Sequence, residues 1–392
     1  MRIIFTYKFI FKFILTLTLL IIEFNVCNLL FASPITYLLR SPRGLLMGDA
    51  YTAIADDEYT LFYNPAALGR HSGLSVFVIN PDASVTNALS EKSRFENFPQ
   101  NDPVAIADRM MGLPLHLHLG GTPGVKIQNV GLNLFAAVNT DIELRNAIHP
   151  SLDVDYHYDR GFIIGYAATF GGGKVRGSKR KKAKTAGHKT SIGLAVKNMN
   201  RQGVNDSYDL FGLRLLNIIS NQKSSDITAI RKELGYSKGS GWGVDTGVEY
   251  TYFTNRSRFT VGGSILDMGG TKFVKDEGTN LVPKQEMNVN IGSAFSQDFT
   301  IVDYTIAFDL HPINRAVDYR RMVHFGVELG IPFLSIMFGW NGGYVSYGAA
   351  LEIWPIKVIA GFYSIELGGE YRQEEGQRGL IYVSLLNISF DA

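Results

Sequence analysis

The stretch LDVDYHYDRGFIIGYAATF, residues 152–170, decides the fold. Its even positions read Leu152, Val154, Tyr156, Tyr158, Arg160, Phe162, Ile164, Tyr166, Ala168 and Phe170, while the odd positions are mostly Asp, His, Gly, Ala or Thr. Only Ile163 breaks the polar-or-small face. A period of two is the signature of a β-strand. Strands of ordinary sheets run to about 5–6 residues, whereas strands of membrane barrels reach about 9–11 and extend beyond the bilayer.

The same dyad recurs. Trp242, Val244, Thr246, Val248, Tyr250 and Tyr252 alternate with Gly241, Gly243, Asp245, Gly247 and Glu249, and Val323, Phe325, Val327 and Leu329 alternate with His324, Gly326, Glu328 and Gly330. Leu334, Ile336, Phe338 and Trp340 follow at once. Alternation alone does not say whether the apolar face meets a protein core, as in a secreted sandwich or propeller, or lipid. Aromatic residues near strand ends (Tyr156, Tyr158, Trp242, Tyr252, Trp340, Trp354) and the number of consecutive strands favour lipid.

The first residues agree. Arg2, Lys8 and Lys12 precede the apolar run Phe13–Ile22, which Glu23 interrupts and which is too short to span a bilayer of about 30 Å. Small residues follow, so residues 1–32 read as a signal peptide cut after Ala32, with Ser33 as the alternative. The only cysteine, Cys27, lies in this leader, and Val26 beside it is too large for a lipoprotein cleavage box, so neither disulfides nor a thiol catalyst is expected in the processed chain. Removing Arg2, Lys8, Lys12 and Glu23 from 38 basic and 36 acidic residues leaves 35 of each. A neutral chain argues against nucleic acid as a partner.

Fourteen strands are expected, near 73–79, 114–120, 125–140, 151–170, 189–200, 241–253, 257–267, 286–296, 300–310, 321–331, 333–340, 343–354, 356–366 and 378–390. If the chain starts and ends in the periplasm, long connections should fall on the outer side. They do, with outer loops at 80–113 and 201–240 the longest and inner turns at 121–124, 254–256, 297–299, Pro332 and Pro355. The exception is 171–188, an inner connection carrying Lys174, Arg176, Lys179, Arg180, Lys181, Lys182 and Lys184. It reads either as a solvated, self-repelling turn or as a basic patch for anionic headgroups or an acidic partner.

Four features bear on chemistry. Leu210, Phe211, Leu213, Leu215, Leu216, Ile218 and Ile219 belong to an apolar segment, 210–219, that only Arg214 and Asn217 interrupt, and Ile227, Ile230 and Leu234 lie at helical spacing, as do Val104, Ala107 and Met111. Such faces above a barrel mouth either pack on one another or form a groove for a greasy ligand. His116 and His118 share one strand face, which makes them lumen lining or the start of a metal site. Asp56-Asp57 reads as a pair bonding luminal groups. No phosphate loop, nucleophile elbow or zinc signature is present, so no enzyme, cofactor or metal is expected.

The stretch Gly44–Gly69, GLLMGDAYTAIADDEYTLFYNPAALG, does not alternate. Small residues lie beside the acidic pair, and Pro65 pushes Asn64 out of the helical region, so a turn is expected there. Gly48-Asp49-Ala50, Ala53-Ile54-Ala55-Asp56-Asp57 and Asn64-Pro65-Ala66-Ala67-Leu68 resemble the N-terminal box of the FadL/TodX outer-membrane transporters and the related PorV/PorQ and spirochaetal FadL-like families. Glu366-Leu367-Gly368-Gly369-Glu370-Tyr371 with Gly376-Gln377-Arg378 resembles the end of the PorV-like branch. The resemblance implies an outer-membrane barrel of about 14 strands over 73–392, with 33–72 folded back inside as a plug marked by Gly48, Ala53, Asp56, Asp57, Asn64, Pro65 and Ala66. It implies passive uptake of hydrophobic small molecules such as long-chain fatty acids, the ligand leaving sideways through the wall beside the plug, with outer-membrane lipid as surroundings. The alternative it implies is a PorV-like scaffold for secretion or surface proteins. A surface adhesin using the longest outer loops is a third, weaker expectation.

Overall fold

The computed structural model describes residues 35, 37–87, 92–99, 102–146, 148–172, 186–210, 231–299 and 301–390. The leader, most of the basic connection, Phe211–Ile219, Ile227 and Ile230 lie outside these residues, as do the side chains of Val104 and Ala107.

Along the chain, β1 (Leu74–Phe77) and β2 (Pro81–Thr86) make the first stave, and β3 (Leu115–Gly121) and β4 (Gly124–Ile127) the second. Five continuous staves follow: β5 (Val130–Arg145), β6 (Ser151–Gly171), β7 (Gly187–Asp209), β8 (Ser237–Phe253) and β9 (Ser257–Leu266). After the short β10 (Val274–Gly278), which lies on the outer end of β8, come β11 (Asn288–Asp298), β12 (Asp303–Leu310), β13 (Val323–Ile331), β14 (Leu334–Asn341), β15 (Tyr344–Ile353) and β16 (Ile356–Glu366). The last stave is β17 (Glu375–Leu385) with β18 (Ile388–Phe390). Each stave pairs antiparallel with the next, and β17 returns to β2 through Leu380↔Ser84 and Tyr382↔Asp82, so the sheet closes as a ring of 14 strands.

The strand boundaries correct three expectations. The first stave continues to Thr86 where a loop from residue 80 was expected, and the outer loop expected at 201–240 shortens to 210–236 because β7 runs to Asp209 and β8 starts at Ser237. The expected inner turn at 121–124 is a kink within the second stave; the chain reverses instead at Gln128-Asn129, with Gln128 at a positive φ of 51°. Gly and Pro at 121–124 mark a break in the ladder as readily as its end. Short reversals at 128–129, 254–256, 299–302, 332–333 and 354–355 all fall at one end, which we call the inner end.

Alternation sorts the side chains. Leu194, Val248, Ile336 and Phe338 are about half exposed on the outer surface, while Ala195 and Met337, one residue away, are buried. A continuous apolar belt of this kind is stable when hydrocarbon solvates it, and closure leaves no unpaired strand edge within it. The chain is a transmembrane barrel. Its core lies in the lumen, between the wall and residues 37–72. Ile163, the residue that breaks the polar face of the deciding stretch, points inward and is fully buried in this core.

Candidate functional site

The N-terminal segment reaches the lumen because the wall makes room for it. On β6, β7, β8, β13, β14 and β15, respectively, Gly165, Gly193, Gly247, Gly326, Gly339 and Gly348 face inward, and a methyl group on any of them would overlap Leu61, the Pro65-Ala66 backbone, Asn64, Met47, Gly48 or Leu46 in turn. At Gly193, Gly326 and Gly339 the segment's backbone packs directly on the wall's backbone, and at the other three its side chains do.

Polar anchors fix the orientation. Gly48 and Asp49 both have positive φ, 66° and 64°. Their carbonyls bond the stacked imidazoles of His324 (2.9 Å) and His311 (3.1 Å). Asp309 Oδ2 accepts from the backbone N–H of Tyr51 (2.9 Å) and Thr52 (2.7 Å), and Ser264 donates to the Tyr63 carbonyl at 2.6 Å. Helix Thr60–Tyr63 ends at Asn64, whose backbone is extended at φ −157°. The turn expected there is the start of a 3-10 helix, Pro65–Arg70, which Asn64 caps by accepting from Ala66 N at 3.0 Å. Proline at the first position keeps that helix's unpaired donors to a minimum.

The acidic pair divides its work. Asp57 organises the segment itself, accepting from Ser41 Oγ (2.7 Å), Tyr51 Oη (2.8 Å) and Tyr59 N (2.9 Å). Asp56 joins the wall: Arg43 donates to it at 2.7 Å and to Glu328 on β13 at 2.9 Å. Ala53 is buried, and its carbonyl accepts from Arg70. Neighbouring Glu58 is buried against Tyr382, which donates to it; burial, reinforced by the Asp57 carboxylate, pushes the Glu58 carboxyl up to about 7.

Above the segment, at the outer end, a cavity of about 720 Å³ remains. Leu38, Leu39 and Leu45 form its floor with Ile365 and Leu380 beside them, and its upper wall is polar. There His116 bonds Asp141 (2.7 Å) and Ser84 (3.1 Å), and His118 bonds Asp82 (2.7 Å) and Asn139 (2.7 Å). With all four ring nitrogens engaged, these histidines line the lumen; among the described residues no group of three potential ligands is placed to hold a metal. Of the groove candidates only Leu210 is described, at the end of β7, where its N–H donates to the Pro150 carbonyl at 2.9 Å.

Beside Glu58 and Tyr59 the wall itself is discontinuous. Regular strand lapses at 78–80, at 122–123 and at 386–387 on three adjacent staves, where single bonds such as Leu385 N to the Ile79 carbonyl (2.8 Å) and Leu134 N to the Pro123 carbonyl (2.9 Å) still bridge the wall. Asn80 bridges the gap with its side-chain amide, accepting from Thr122 N (3.0 Å) and donating to Thr122 O (2.9 Å). Tyr59 donates across it to Asp82 at 2.9 Å.

No protein-family model matches the sequence, and no curated protein matches it significantly. Similar solved structures include the toluene transporter TodX of Pseudomonas putida, 9% identical over 90% of this chain and 100% of that one, with a TM-score of 0.38. A TodX deltaS2S3 mutant, described as a monoaromatic hydrocarbon channel, is 10% identical over 90% of this chain and 99% of its own, with a TM-score of 0.46. The CymD monoaromatic hydrocarbon channel is 11% identical over 93% and 99%, with a TM-score of 0.31. At such overlaps the fold assignment rests on the strand ladder itself.

Gly48, Asp56-Asp57 and Asn64-Pro65-Ala66 stand out in the sequence as a box. Their wall partners, Asp309, His311, His324 and Glu328, carry no local signal; they are acids and imidazoles among many on alternating strands.

Proposed function

We propose that the protein is an outer-membrane channel for passive uptake of hydrophobic small molecules, with long-chain fatty acids as the substrate class and residues 37–72 as its plug. The observation that carries this reading is the cavity of about 720 Å³ over a leucine floor. An apolar molecule on that floor gains by leaving water, and a sideways exit at 78–80 and 122–123 delivers it to hydrocarbon without crossing the polar inner end. The plug closes the direct route. Passage needs no cofactor and no catalytic group.

Labelled oleate uptake by cells expressing the protein tests this. Ile365→Trp, which fills the floor without touching the plug anchors, should cut uptake at least about tenfold while the barrel stays inserted. Equal uptake in cells with and without the protein would overturn the reading. Ala53→Trp is a poor blocking variant, because Ala53 is packed within the plug and a large ring there would unseat it.

A second reading, a PorV-like scaffold for secretion or surface proteins, draws on the outer loop after β16. Glu366 accepts from the N–H groups of Gly368 (2.9 Å), Gln373 (2.9 Å) and Glu374 (2.8 Å), and Arg320 stacks over Tyr371 at 4.5 Å. A pinned loop with exposed Tyr319 at the rim suits a fixed contact surface. Crosslinking on intact cells would capture defined partners on this reading and none on the first.

A further inference from the structure

Under the plug, at the inner end, a cavity of about 170 Å³ is lined by Asp56, Thr60, Arg70, Ser72, Lys126 and Arg258. Three cations converge on it from three separate elements: the end of the plug, β4 and β9. Two are held by the plug backbone. Arg70 donates to the carbonyls of Ala53 and Ala55, the latter at 2.5 Å, and lies 3.3 Å from Glu249. Lys126 donates to the carbonyls of Asp56 and Asp57, the latter at 3.0 Å. Carbonyls satisfy the donors of Lys126 without neutralising its charge.

Arg258 differs. Among the described residues it makes no hydrogen bond or ion pair, and it lines both this cavity and an adjoining one of about 430 Å³ beside the inner turn 254–256. The single carboxylate in the smaller cavity, Asp56, is already taken by Arg43 at 2.7 Å. Asp56 and Glu249 lie in its field and Asp298, Asp303 and Glu328 line the adjoining cavity, but none bonds it, so the planar fork of this half-buried guanidinium, beside two like charges, has no anion on it among the described residues.

We propose that this cavity is an oxyanion site for a carboxylate or phosphate group, bound by the fork of Arg258 and held in the field of Lys126 and Arg70. A two-oxygen acceptor matches the guanidinium in bidentate fashion. The volume admits such a group but not the body of a large ligand, so an attached chain would extend into the adjoining cavity. The site stands independently of the transport reading, since it is made of inner-end residues and shares none with the leucine floor except through the plug between them.

Calorimetric titration of the full-length processed protein in a neutral maltoside detergent at low salt tests this with sodium octanoate, octanol and inorganic phosphate. Wild type should bind one or both anions, and Arg258→Gln should weaken that binding at least about tenfold, with Arg258→Lys between the two. Octanol affinity should be the same in all three proteins. Binding of octanoate alone identifies the head of an amphipathic acid as the occupant, and binding of phosphate alone identifies a free anion. The heat-dependent gel mobility of a folded barrel serves as the control, since Arg258 supports no neighbour. Wild type that binds neither anion, or Arg258→Gln that binds them as wild type does, would overturn the proposal whatever the oleate result.

Discussion

The middle of the lumen and its outer end are built by one ring of staves with opposite side-chain choices. At mid-height inward glycines on β6, β7, β8, β13, β14 and β15 leave space that residues 46–66 fill. Towards the outer end, β3, β5 and β17 carry His116, His118, Asp141 and Arg378 instead; His116 and Arg378 bond Asp141, His118 bonds Asp82 and Asn139, and a cavity remains. The wall thus fixes where chain goes and where a ligand has room. Room left by glycine admits the segment in the first region, where Asp309, His311 and His324 then anchor it, while a side-chain hydrogen-bond network lines open space in the second.

The comparison breaks most visibly at Gly339. A leucine there must displace the plug backbone at Gly48, so Gly339→Leu should leave residues 37–72 open to protease and give large steady conductance in planar bilayers, or prevent folding altogether. Phe338→Ala, one residue away on the lipid face, should do neither.

A smaller effect comes from Glu58. Its carboxyl titrates at about 7 in the folded plug against 4.5 when free, so the folded form holds the proton more tightly. The contribution is fully present below pH 4.5 and is lost as pH rises towards 7, on the order of a few kcal/mol in plug stability. Hydrogen exchange of plug amides should be slower at pH 5 than at pH 8 after correction for intrinsic rates, and Glu58→Gln should flatten that difference. The smallest effect is Asn64→Ala, which removes one cap and should destabilise the plug by about 1 kcal/mol in the same exchange experiment.

The wall was readable from the chain because strand alternation is local and each inward position declares itself against its neighbours. Even the misfit was informative: Ile163 looked wrong for a polar face because the plug core needs it. The seam was not readable, since Pro123 punctuates a kink and a turn alike, and only the pairing of β4 with both β1 and β5 tells them apart. Nor was the division of Asp56 from Asp57. Arg43 finds Glu328 across 285 residues and Tyr51 finds Asp309 across 258, distances over which sequence carries no spacing rule.

The claim beneath all of this is that lipid solvates one face of each strand and the plug the other. Cys27 being the only cysteine, single cysteines placed at Ile336 and Met337 in the processed chain can be labelled with bimane and reconstituted with brominated lipid. Strong quenching at 336 and little at 337 is the expected result. Equal quenching at both, or the reverse order, would contradict the barrel and the plug together.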